Sequence, residues 1–283
     1  MNLCEPAYAK LNLALDVGAL RPDGYHEMRM LMQTITLCDR VTVRLDAGRW
    51  WADGSNMLPH DERNLALRAA RVFCRAADIP SDGMEITLEK QIPTCAGLGG
   101  GSADAAAVLR ALQRHYGSPL SHAALLDAAA QVGSDVPFCL VGGTMLAEGR
   151  GERLTALPAL PPCKIVLCQP DFASPTPALF RALDAAPPAA RPDFPRLLAA
   201  LGDLPAFASA MENVFEPVLT AQHPQLGQIR RTLLDHGALG AVLTGTGSVM
   251  FGLFADGAAA ERARTALARQ VPWTALARPC AVE

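Results

Sequence analysis

The sequence lacks the features of several large classes of protein. None of its eight cysteines forms a C-x-x-C pair or a zinc-finger cluster with histidine, so neither a zinc finger nor a dithiol motif is indicated. No apolar run approaches the ~18 residues that a membrane-spanning helix needs. With 25 lysine and arginine residues against 28 aspartate and glutamate residues, the chain has no excess of positive charge. We therefore predict a cytoplasmic protein with reduced thiols and without nucleic-acid or membrane partners.

The chain does have enough apolar residues for a substantial core. Hydrophobic residues make up 50% of its 283 positions and charged residues 19%, which suffices for one large or two ordinary domains. Residues 185–195 are too rich in proline for a regular element and are predicted to form a surface connection. We expect the domain boundary between residues 150 and 195 and predict domains at 1–155 and 156–283.

Hydrophobic periodicity predicts a mixed α and β architecture. Apolar and polar side chains alternate over residues 7–17, which is typical of a strand with Lys10 and Asn12 on one face. Helical spacing predicts a helix at 64–77, and a run of helix-forming residues predicts another at 103–112. Further predicted elements are strands at 28–37, 41–45, 84–89, 143–147, 164–168, 238–243, 249–254 and 272–277, and helices at 121–132, 196–202, 208–219, 224–236 and 257–269. The last third is therefore predicted to be a small α+β lobe.

The most informative segment is rich in glycine. Gly97, Gly99, Gly100 and Gly101, followed by Ser102, lie between a predicted strand and an alanine-rich helix. Glycines leave backbone N–H groups uncovered and the helix N-terminus adds partial positive charge, so this segment can bind a phosphate. It is not a Walker loop, because no Lys-Ser or Lys-Thr follows the glycines, and it lacks the last glycine of the dinucleotide pattern. A tight structural turn is the alternative, although a turn rarely needs so many glycines.

Together with Pro93 and Ala96, this segment resembles the phosphate-binding motif of the GHMP kinases, which include galactokinase, homoserine kinase, mevalonate kinase and phosphomevalonate kinase. Further segments match, in order and approximate spacing, a branch of this family whose substrate carries a cytidine diphosphate group; they are residues 7–13, 21–26, 133–138 and 244–247. Residues 21–26 (RPDGYH) discriminate best, because the glycine segment is shared by the whole family. The resemblance covers nearly the whole chain. Two departures are visible, Ala103 in place of a second serine and Cys95 in the approach to the glycines.

The resemblance implies a two-lobed α/β fold, with an N-terminal mixed-sheet lobe, a C-terminal ferredoxin-like α+β lobe and a cleft between them. It implies a kinase of isoprenoid biosynthesis that transfers the γ-phosphoryl group of ATP, bound with Mg²⁺, to a hydroxyl of a small cytidine diphosphate sugar alcohol. A monomer or a weak homodimer is expected. The sequence offers no carboxylate that can be chosen as the protein ligand of the magnesium ion.

The same resemblance implies roles for individual residues. Asp135 takes or orients the proton of the acceptor hydroxyl, and Lys10 favours the ionised carboxylate and neutralises charge on the transferring phosphoryl group. The residues implied in ATP binding are Pro93, Ala96, Gly97, Leu98, Gly99, Gly100, Gly101, Ser102, Ala103, Asn64 and Lys90. Those implied in substrate binding are Asn12, Tyr25, His26, Met32, Thr176, Phe180, Thr244 and Gly245, with Tyr25 and His26 bordering the cytosine and Phe180 opposite.

Simpler structural roles compete with several of these assignments. Lys10 could be a surface lysine and Asp135 a cap, although a lysine among apolar neighbours on a strand needs an anionic partner. His26 could bond to the backbone of its turn, and Asn64 could be the N-cap of the following helix. Residues 244–247 could form a plain hairpin.

Two other functions stay open at this point. A different small-molecule kinase of the same family would share the glycine segment but would not need the set of Tyr25, His26 and Phe180. A catalytically silent ATP-binding sensor would have no need of both Lys10 and Asp135. Substrate tests and an assay of ADP release separate these alternatives.

Overall fold

The computed structural model describes residues 2–54, 58–174, 176–186, 188 and 190–282. Its N-terminal lobe is built on two long antiparallel strands, β1 (Asn2–Leu20) and β2 (His26–Leu45). The predicted alternation in β1 is confirmed, because the odd-numbered side chains at 7–15 are all buried. The pairing of β1 with β2 is irregular on both sides of Lys10 and Asn12. Such bulges redirect side chains, and both of these polar residues are buried as well.

The first sheet has six strands, in the order β3–β4–β2–β5–β6 with β1 also paired to β2. Its shorter strands are β3 (Trp51–Asp53), β4 (Met84–Glu89), β5 (Thr144–Gly149) and β6 (Arg153–Ala156). The first half of β2 pairs with β5 and its second half with β4. This long strand therefore joins the two ends of the sheet.

The helices of this lobe are α1 (Leu65–Ala76), α2 (Gly100–His115), α3 (His122–Val132) and α4 (Val136–Val141). The central one is α2, which contacts β1, α1 and α4 and buries residues 103–109 without interruption. A helix that is apolar on most sides belongs in a core. The predicted helices at 64–77, 103–112 and 121–132 are confirmed, and the Ser121 hydroxyl caps α3 by accepting from Ala124 N at 3.2 Å. The six-residue α4 was not predicted.

The second sheet is antiparallel and has the order β10–β7–β9–β8. Its strands are β7 (Lys164–Gln169), β8 (Gly240–Leu243), β9 (Met250–Phe254) and β10 (Trp273–Ala277). The order in space, last–first–third–second along this lobe, is that of the ferredoxin-like βαββαβ unit, so the predicted topology is confirmed. The boundary between residues 155 and 156 stays a prediction; β6 ends at Ala156 and β7 begins at Lys164.

The helices of the C-terminal lobe are α5 (Thr176–Ala185), α6 (Phe194–Ala199), α7 (Leu204–Ala210), α8 (Phe215–Gln222), α9 (Gln225–Asp235) and α10 (Gly257–Leu267). The prediction of one helix at 208–219 was wrong, because α7 and α8 are separate and residues 211–214 lie between them. Those residues bond to β1: Leu15 N donates to Glu212 O (3.0 Å) and Val214 N donates to Leu15 O (3.1 Å). The predicted connection at 185–195 contains the link from α5 to α6, although residues 187 and 189 lie outside the described part.

The eight cysteines all carry free thiols, and Cys74, Cys139, Cys163 and Cys168 are buried. Burial raises the pKa of the Cys139 thiol to about 12 and that of Cys163 to about 11, so neither forms a reactive thiolate near neutral pH. Within the described ranges, no helix is both long and apolar enough to cross a bilayer.

Candidate active site

A cleft of about 930 Å³ lies between the two lobes, within the range of small-molecule sites. The predicted residues that line it are Lys10, Asn12, Tyr25, His26, Gly97, Gly99, Ser102, Asp135, Thr176, Phe180 and Gly245. The other predicted residues, which do not line it, are Asn64, Lys90, Met32, Pro93, Ala96, Leu98, Gly100, Gly101, Ala103 and Thr244. Two of these residues bond to lining residues: Leu98 O accepts from Lys10 N, and the Thr244 hydroxyl accepts from Asn12 N.

The charged centre of the cleft is the ion pair of Lys10 and Asp135, whose Nζ and Oδ2 atoms are 3.4 Å apart. The side chain of Lys10 is only 6% exposed, and its ammonium also donates to Asn12 Oδ1 at 2.6 Å. Asp135 precedes α4 but caps no backbone N–H with its side chain. The capping and surface-lysine alternatives are therefore not what the structure shows. A buried ammonium with two oxygen partners is satisfied, while Asp135 remains 29% exposed to the cleft.

The glycine segment passes directly beside this pair. Gly97 and Gly99 have φ of 76° and 70°, in the left-handed region that favours glycine. A Cβ on Gly97 would lie 2.2 Å from Thr244 O, and one on Gly99 would lie 2.9 Å from Lys10 Cγ. Lys10 N donates to Leu98 O at 3.0 Å. The segment therefore joins β1 to the N-terminus of α2, where backbone N–H groups favour an anion.

Asn64 occupies the position of its structural alternative. Its Oδ1 accepts from Ala66 N (3.1 Å) at the start of α1, and its Nδ2 donates to Pro59 O (3.0 Å). The N-cap interpretation is therefore confirmed. The next residue, Leu65, lines the cleft. Asn64 itself does not line the cleft, and its predicted role in ATP binding stays a prediction.

Lys90 belongs to a buried cluster beneath the glycine segment. Its ammonium is paired with Asp39 and, at 2.5 Å, with Asp104 on the first turns of α2. Asp39 also accepts from the backbone N–H groups of Gln91 and Ile92, at 2.5 and 2.8 Å. The cluster fixes the chain that leads into the glycines. Lys90 does not line the cleft, and its predicted role in ATP binding stays a prediction.

Three aromatic side chains of the cleft, those of His26, Phe180 and Phe215, form a single wall. The rings of His26 and Phe180 stack with centroids 5.1 Å apart, and Phe215 meets Phe180 edge-on at 5.0 Å. His26 Nε2 bonds to Asp184 Oδ1 at 2.9 Å, so its ring does not bond to its own turn. A base between His26 and Phe180 would need about 7 Å, twice the contact distance of carbon atoms. The arrangement with Phe180 opposite His26 is therefore not observed, whereas Tyr25, 52% exposed, lines the cleft separately.

Met32 was predicted to contact substrate but is fully buried in the core. Met28, Met30 and Met32 share one face of β2, because side chains alternate along a strand. Only the first two reach the cleft. The Met30 sulfur accepts from Asn12 Nδ2 at 3.2 Å, so Met30, and not Met32, supports the polar residues beside Lys10.

Residues 244–247 link β8 to β9 and also join the two lobes. The Thr244 hydroxyl accepts from Asn12 N (3.0 Å) and donates to Gly97 O (3.3 Å). Thr246 bonds to Thr176 through their hydroxyl oxygens at 2.9 Å. The segment is thus a hairpin connection in which Gly245 and Thr246 line the cleft. Thr244 is fully buried and supports the lining residues through its two hydrogen bonds.

Two family models match the chain. The one described as GHMP kinases N terminal domain matches residues 64–143, and the one described as GHMP kinases C terminal matches residues 197–272. The chain is 45% identical over 267 residues to the 4-diphosphocytidyl-2-C-methyl-D-erythritol kinase of Pelotomaculum thermopropionicum, a match that covers 93% of this chain and 92% of that protein. This chain belongs to the 4-diphosphocytidyl-2-C-methyl-D-erythritol kinase family of the GHMP kinases.

Solved structures agree with this membership. A crystal structure of 4-(cytidine 5'-diphospho)-2C-methyl-D-erythritol kinase matches with a TM-score of 0.82 and 36% identity, covering 98% of each chain. Homoserine kinase from Cytophaga hutchinsonii matches with a TM-score of 0.80 at 21% identity, covering 99% of this chain and 95% of that one. The second likeness shows the fold alone. The predicted two-lobed GHMP fold is confirmed, and as a family member the protein is a small-molecule kinase with ATP as phosphoryl donor.

Sequence reasoning missed several residues of this kinase. Arg150 lines the cleft and lies over the Tyr25 ring, 5.0 Å from its centroid. Asn213 lies behind the cleft and bonds to the connection between β8 and β9. Asparagine is favoured near the start of a helix, but only the fold shows which groups Asn213 contacts.

Cys95 lies at the edge of the glycine segment, where it is exposed, lines the cleft and has a φ of 54°. A left-handed conformation is uncommon for a residue with a side chain. The departure from the family pattern noted at this position therefore puts a thiol in the cleft, directly before the glycine segment.

Proposed function

We propose that this kinase transfers the γ-phosphoryl group of ATP to the 2-hydroxyl group of 4-diphosphocytidyl-2-C-methyl-D-erythritol, a step of the non-mevalonate route to isopentenyl diphosphate. The observation that carries the proposal is the Lys10–Asp135 ion pair, which lies in the same cleft as the glycine segment and the aromatic wall. The activity named for its relatives supports the choice of acceptor.

The triphosphate binds along the glycine segment. At Gly97 and Gly99 a Cβ would collide with neighbouring atoms, and its absence lets a phosphate approach the backbone N–H groups. The N-terminus of the 16-residue α2 follows immediately and favours negative charge. Both features act on phosphate groups and not on a base.

Magnesium bound with ATP supplies charge neutralisation at the β- and γ-phosphate oxygens. Among the described residues, no group of three His, Cys, Asp or Glu side chains could hold a metal. Mg²⁺ commonly binds through substrate phosphates and water with one or two protein ligands. Ser102, which lines the cleft on the first turn of α2, is the hydroxyl that fits this role.

Asp135 accepts the proton of the acceptor hydroxyl. The hydroxyl oxygen then bonds to the γ-phosphorus, and the bond between that phosphorus and the leaving oxygen of ADP breaks. Lys10 lies against the same carboxylate and offsets the charge that develops on the phosphoryl oxygens. Asn12 holds the ammonium through its 2.6 Å hydrogen bond. Because Lys10 and Asn12 are buried and already in contact with each other, little reorganisation is needed at the moment of transfer.

The cytosine binds at the aromatic wall. Because His26 and Phe180 touch each other, the base stacks on an outer face of the pair. Tyr25 also lines the cleft and is the ring that can cover the other face of the base. In this arrangement the cytosine of the acceptor lies on one side of the Lys10–Asp135 ion pair and ATP lies on the other.

The test measures ADP release with the cytidine substrate, with 2-C-methyl-D-erythritol 4-phosphate, with homoserine, with mevalonate and without acceptor. We expect turnover of the cytidine substrate to exceed that of every other acceptor by at least about 100-fold, since a site with specific polar contacts rejects analogues that lack them. Faster turnover of homoserine or mevalonate would assign the chain to another kinase activity. If none of these acceptors gave ADP release, a catalytically silent ATP-binding protein would be favoured.

A further inference from the structure

Asn213 lies in the short segment between α7 and α8, where it is 2% exposed. It does not line the cleft, so it touches neither ATP nor acceptor. Its segment pairs with β1 at Leu15, through the bonds of Leu15 N to Glu212 O and of Val214 N to Leu15 O. The C-terminal lobe is thereby attached to the strand that carries Lys10.

The amide of Asn213 bonds in two directions. Its Nδ2 donates to Leu243 O and to Gly245 O, both at 2.8 Å, so both amide hydrogens are used. Its Oδ1 accepts from Phe215 N at 2.9 Å, at the start of α8. In a buried position each of these bonds is hard to replace, because water cannot reach the groups that would lose a partner.

One of these directions leads to the catalytic lysine. Gly245 packs so closely that a Cβ there would lie 3.1 Å from Gly97 O and 3.5 Å from Lys10 Nζ. Its neighbour Thr244 bonds to both Asn12 N and Gly97 O. The position of this segment therefore sets how closely the second lobe presses on the Lys10 ammonium.

The other direction leads to the aromatic wall. Phe215, whose N–H the Asn213 amide accepts, is fully buried and meets Phe180 edge-on at 5.0 Å. Phe180 in turn stacks on His26. A shift of Phe215 would be passed to the stacked pair, because packed side chains have no free space to absorb it.

We infer that Asn213 is a positioning residue for phosphoryl transfer, which holds the segment of Gly245 against Lys10 and Phe215 behind the acceptor wall with one side chain. The inference rests on the proposed function and extends it to a residue that contacts no ligand. Because one amide serves both sides, Asn213 aligns the acceptor hydroxyl with the transferring phosphoryl group.

Two substitutions separate the two directions. Asn213→Ala removes all three hydrogen bonds, so it should lower kcat and raise the KM of the acceptor. Asn213→Asp keeps an oxygen to accept from Phe215 N but loses the donors to Leu243 O and Gly245 O, so it should lower kcat with a smaller change in acceptor KM. We expect kcat/KM for the acceptor to fall by about tenfold to 100-fold in Asn213→Ala, the scale of an ångström of misalignment. The KM of ATP should stay within about twofold, because the glycine segment keeps its own bond to Lys10 N.

A matched control measures the effect of stability alone. Asp256→Ala removes the N-cap of α10, where the carboxylate accepts from Ala258 N and Ala259 N. It should lower the melting temperature without changing kcat or either KM, measured well below melting. If Asn213→Ala likewise lost stability and kept wild-type kinetics, Asn213 would be structural only and the inference would be overturned.

A double-mutant cycle with Thr244→Val tests the route of the effect. If Asn213 acts through this segment, the losses in kcat of the two single variants should not add, and the double variant should be at least about threefold faster than the product of the single losses. Additive losses would contradict a shared route. All ratios refer to whichever acceptor the wild-type enzyme uses fastest, so a wrong acceptor assignment would show in the wild type and not in these ratios.

Discussion

At the scale of single residues, Lys10 is the side chain on which the polar contacts of the cleft converge. It bonds to Asn12, lies 3.4 Å from Asp135 and forms part of the surface that excludes a side chain at Gly99. Lys10 and Asn12 are on one strand, whereas Gly99 and Asp135 are far away in sequence. The geometry around Lys10 therefore depends on how β1, α2 and α4 pack, and the role proposed for each residue can be tested by a substitution that leaves that packing in place.

Asp135→Asn and Lys10→Ala should each lower kcat by at least ~100-fold, the usual scale of a general base and of the charge that assists it. Calorimetry should show ATP affinity largely unchanged, because these contacts strengthen only in the transition state. Asp127→Asn, at an exposed position on α3, is the matched control and should behave as wild type. A variant at 10 or 135 with wild-type kcat would remove that residue from the mechanism.

Gly99→Val should weaken ATP binding by about tenfold or more, because the new side chain would collide with Lys10 and cover backbone N–H groups. Gly117→Val is the control for strain, since Gly117 has a φ of 71° but no atom within 4 Å of a new Cβ. Both variants should lose stability, and only the first should lose affinity. Calorimetric titration with ATP on the folded proteins decides; equal affinities would make the glycine segment a structural turn.

At the scale of secondary-structure elements, β2, the end of β4 and the first turns of α2 are joined by the cluster of Asp39, Lys90 and Asp104. Two buried carboxylates share one ammonium, and burial raises the pKa of Asp104 to about 7 from the ordinary 3.8. Between pH about 4 and about 7 the folded chain therefore holds a proton that the unfolded chain has released. The free energy of unfolding therefore falls as pH rises through that window, and the titration of Asp104 has no further effect above it.

Asp104→Asn removes this titration and should change the pH profile of stability. The free energy of unfolding of the variant minus that of the wild type should increase by more than ~1 kcal/mol from pH 5 to pH 8, in the variant's favour. Denaturant titrations of both proteins at a series of pH values measure it. A difference that is constant over this range would mean that Asp104 is ionised throughout.

The elements differ in how far local sequence could predict them. Strand β1 and helices α1, α2 and α3 followed from spacing and capping, because each presents one repeating pattern to the core. The helix predicted at 208–219 failed because residues 211–214 exchange helical bonds for bonds to Leu15 on β1. Helix α5 was not predicted, although a proline in the first turn, here Pro177, is compatible with a helix. At 211–214 a contact with a distant strand decided the backbone, and no local pattern could predict that contact.

The same distinction holds in the site. The glycine segment is local, and physical reasoning about N–H groups sufficed to predict a phosphate site there. The pairing of Lys10 with Asp135 and the cytosine residues came from family resemblance, since no local pattern joins them. The contact of His26 with Phe180, and the bonds of Asn213, depend on the packing of the two lobes. Single-sequence patterns carry no signal for those contacts.

At the scale of the whole molecule, each lobe contributes one ring to the stacked pair of His26 and Phe180. His26→Ala and Phe180→Ala should each raise the acceptor KM several-fold, in keeping with a loss of ~1 to 3 kcal/mol of stacking. The KM of ATP should barely change. Because the rings touch, the effects of the two substitutions on KM should be less than additive in the double variant.

The same variants also test selectivity. Wild type should strongly prefer the cytidine substrate to 2-C-methyl-D-erythritol 4-phosphate, and the ring variants should lose much of that preference. Arg196→Ala, an exposed substitution on α6 in the same lobe as Phe180, is the control for a general effect on that lobe. Unchanged selectivity in both ring variants would show that the base binds elsewhere in the cleft.

The thiol of Cys95 should report whether ATP occupies the cleft. It is exposed beside the glycine segment, whereas Cys139 and Cys163 are buried with raised pKa values. Iodoacetamide should therefore alkylate Cys95, and ATP at about ten times its dissociation constant should slow that reaction about tenfold by occupying the cleft. Cys4, exposed at the far end of β1, is the internal reference whose labelling should not respond. Mass spectrometry of the two peptides would then yield a binding curve without any engineered label.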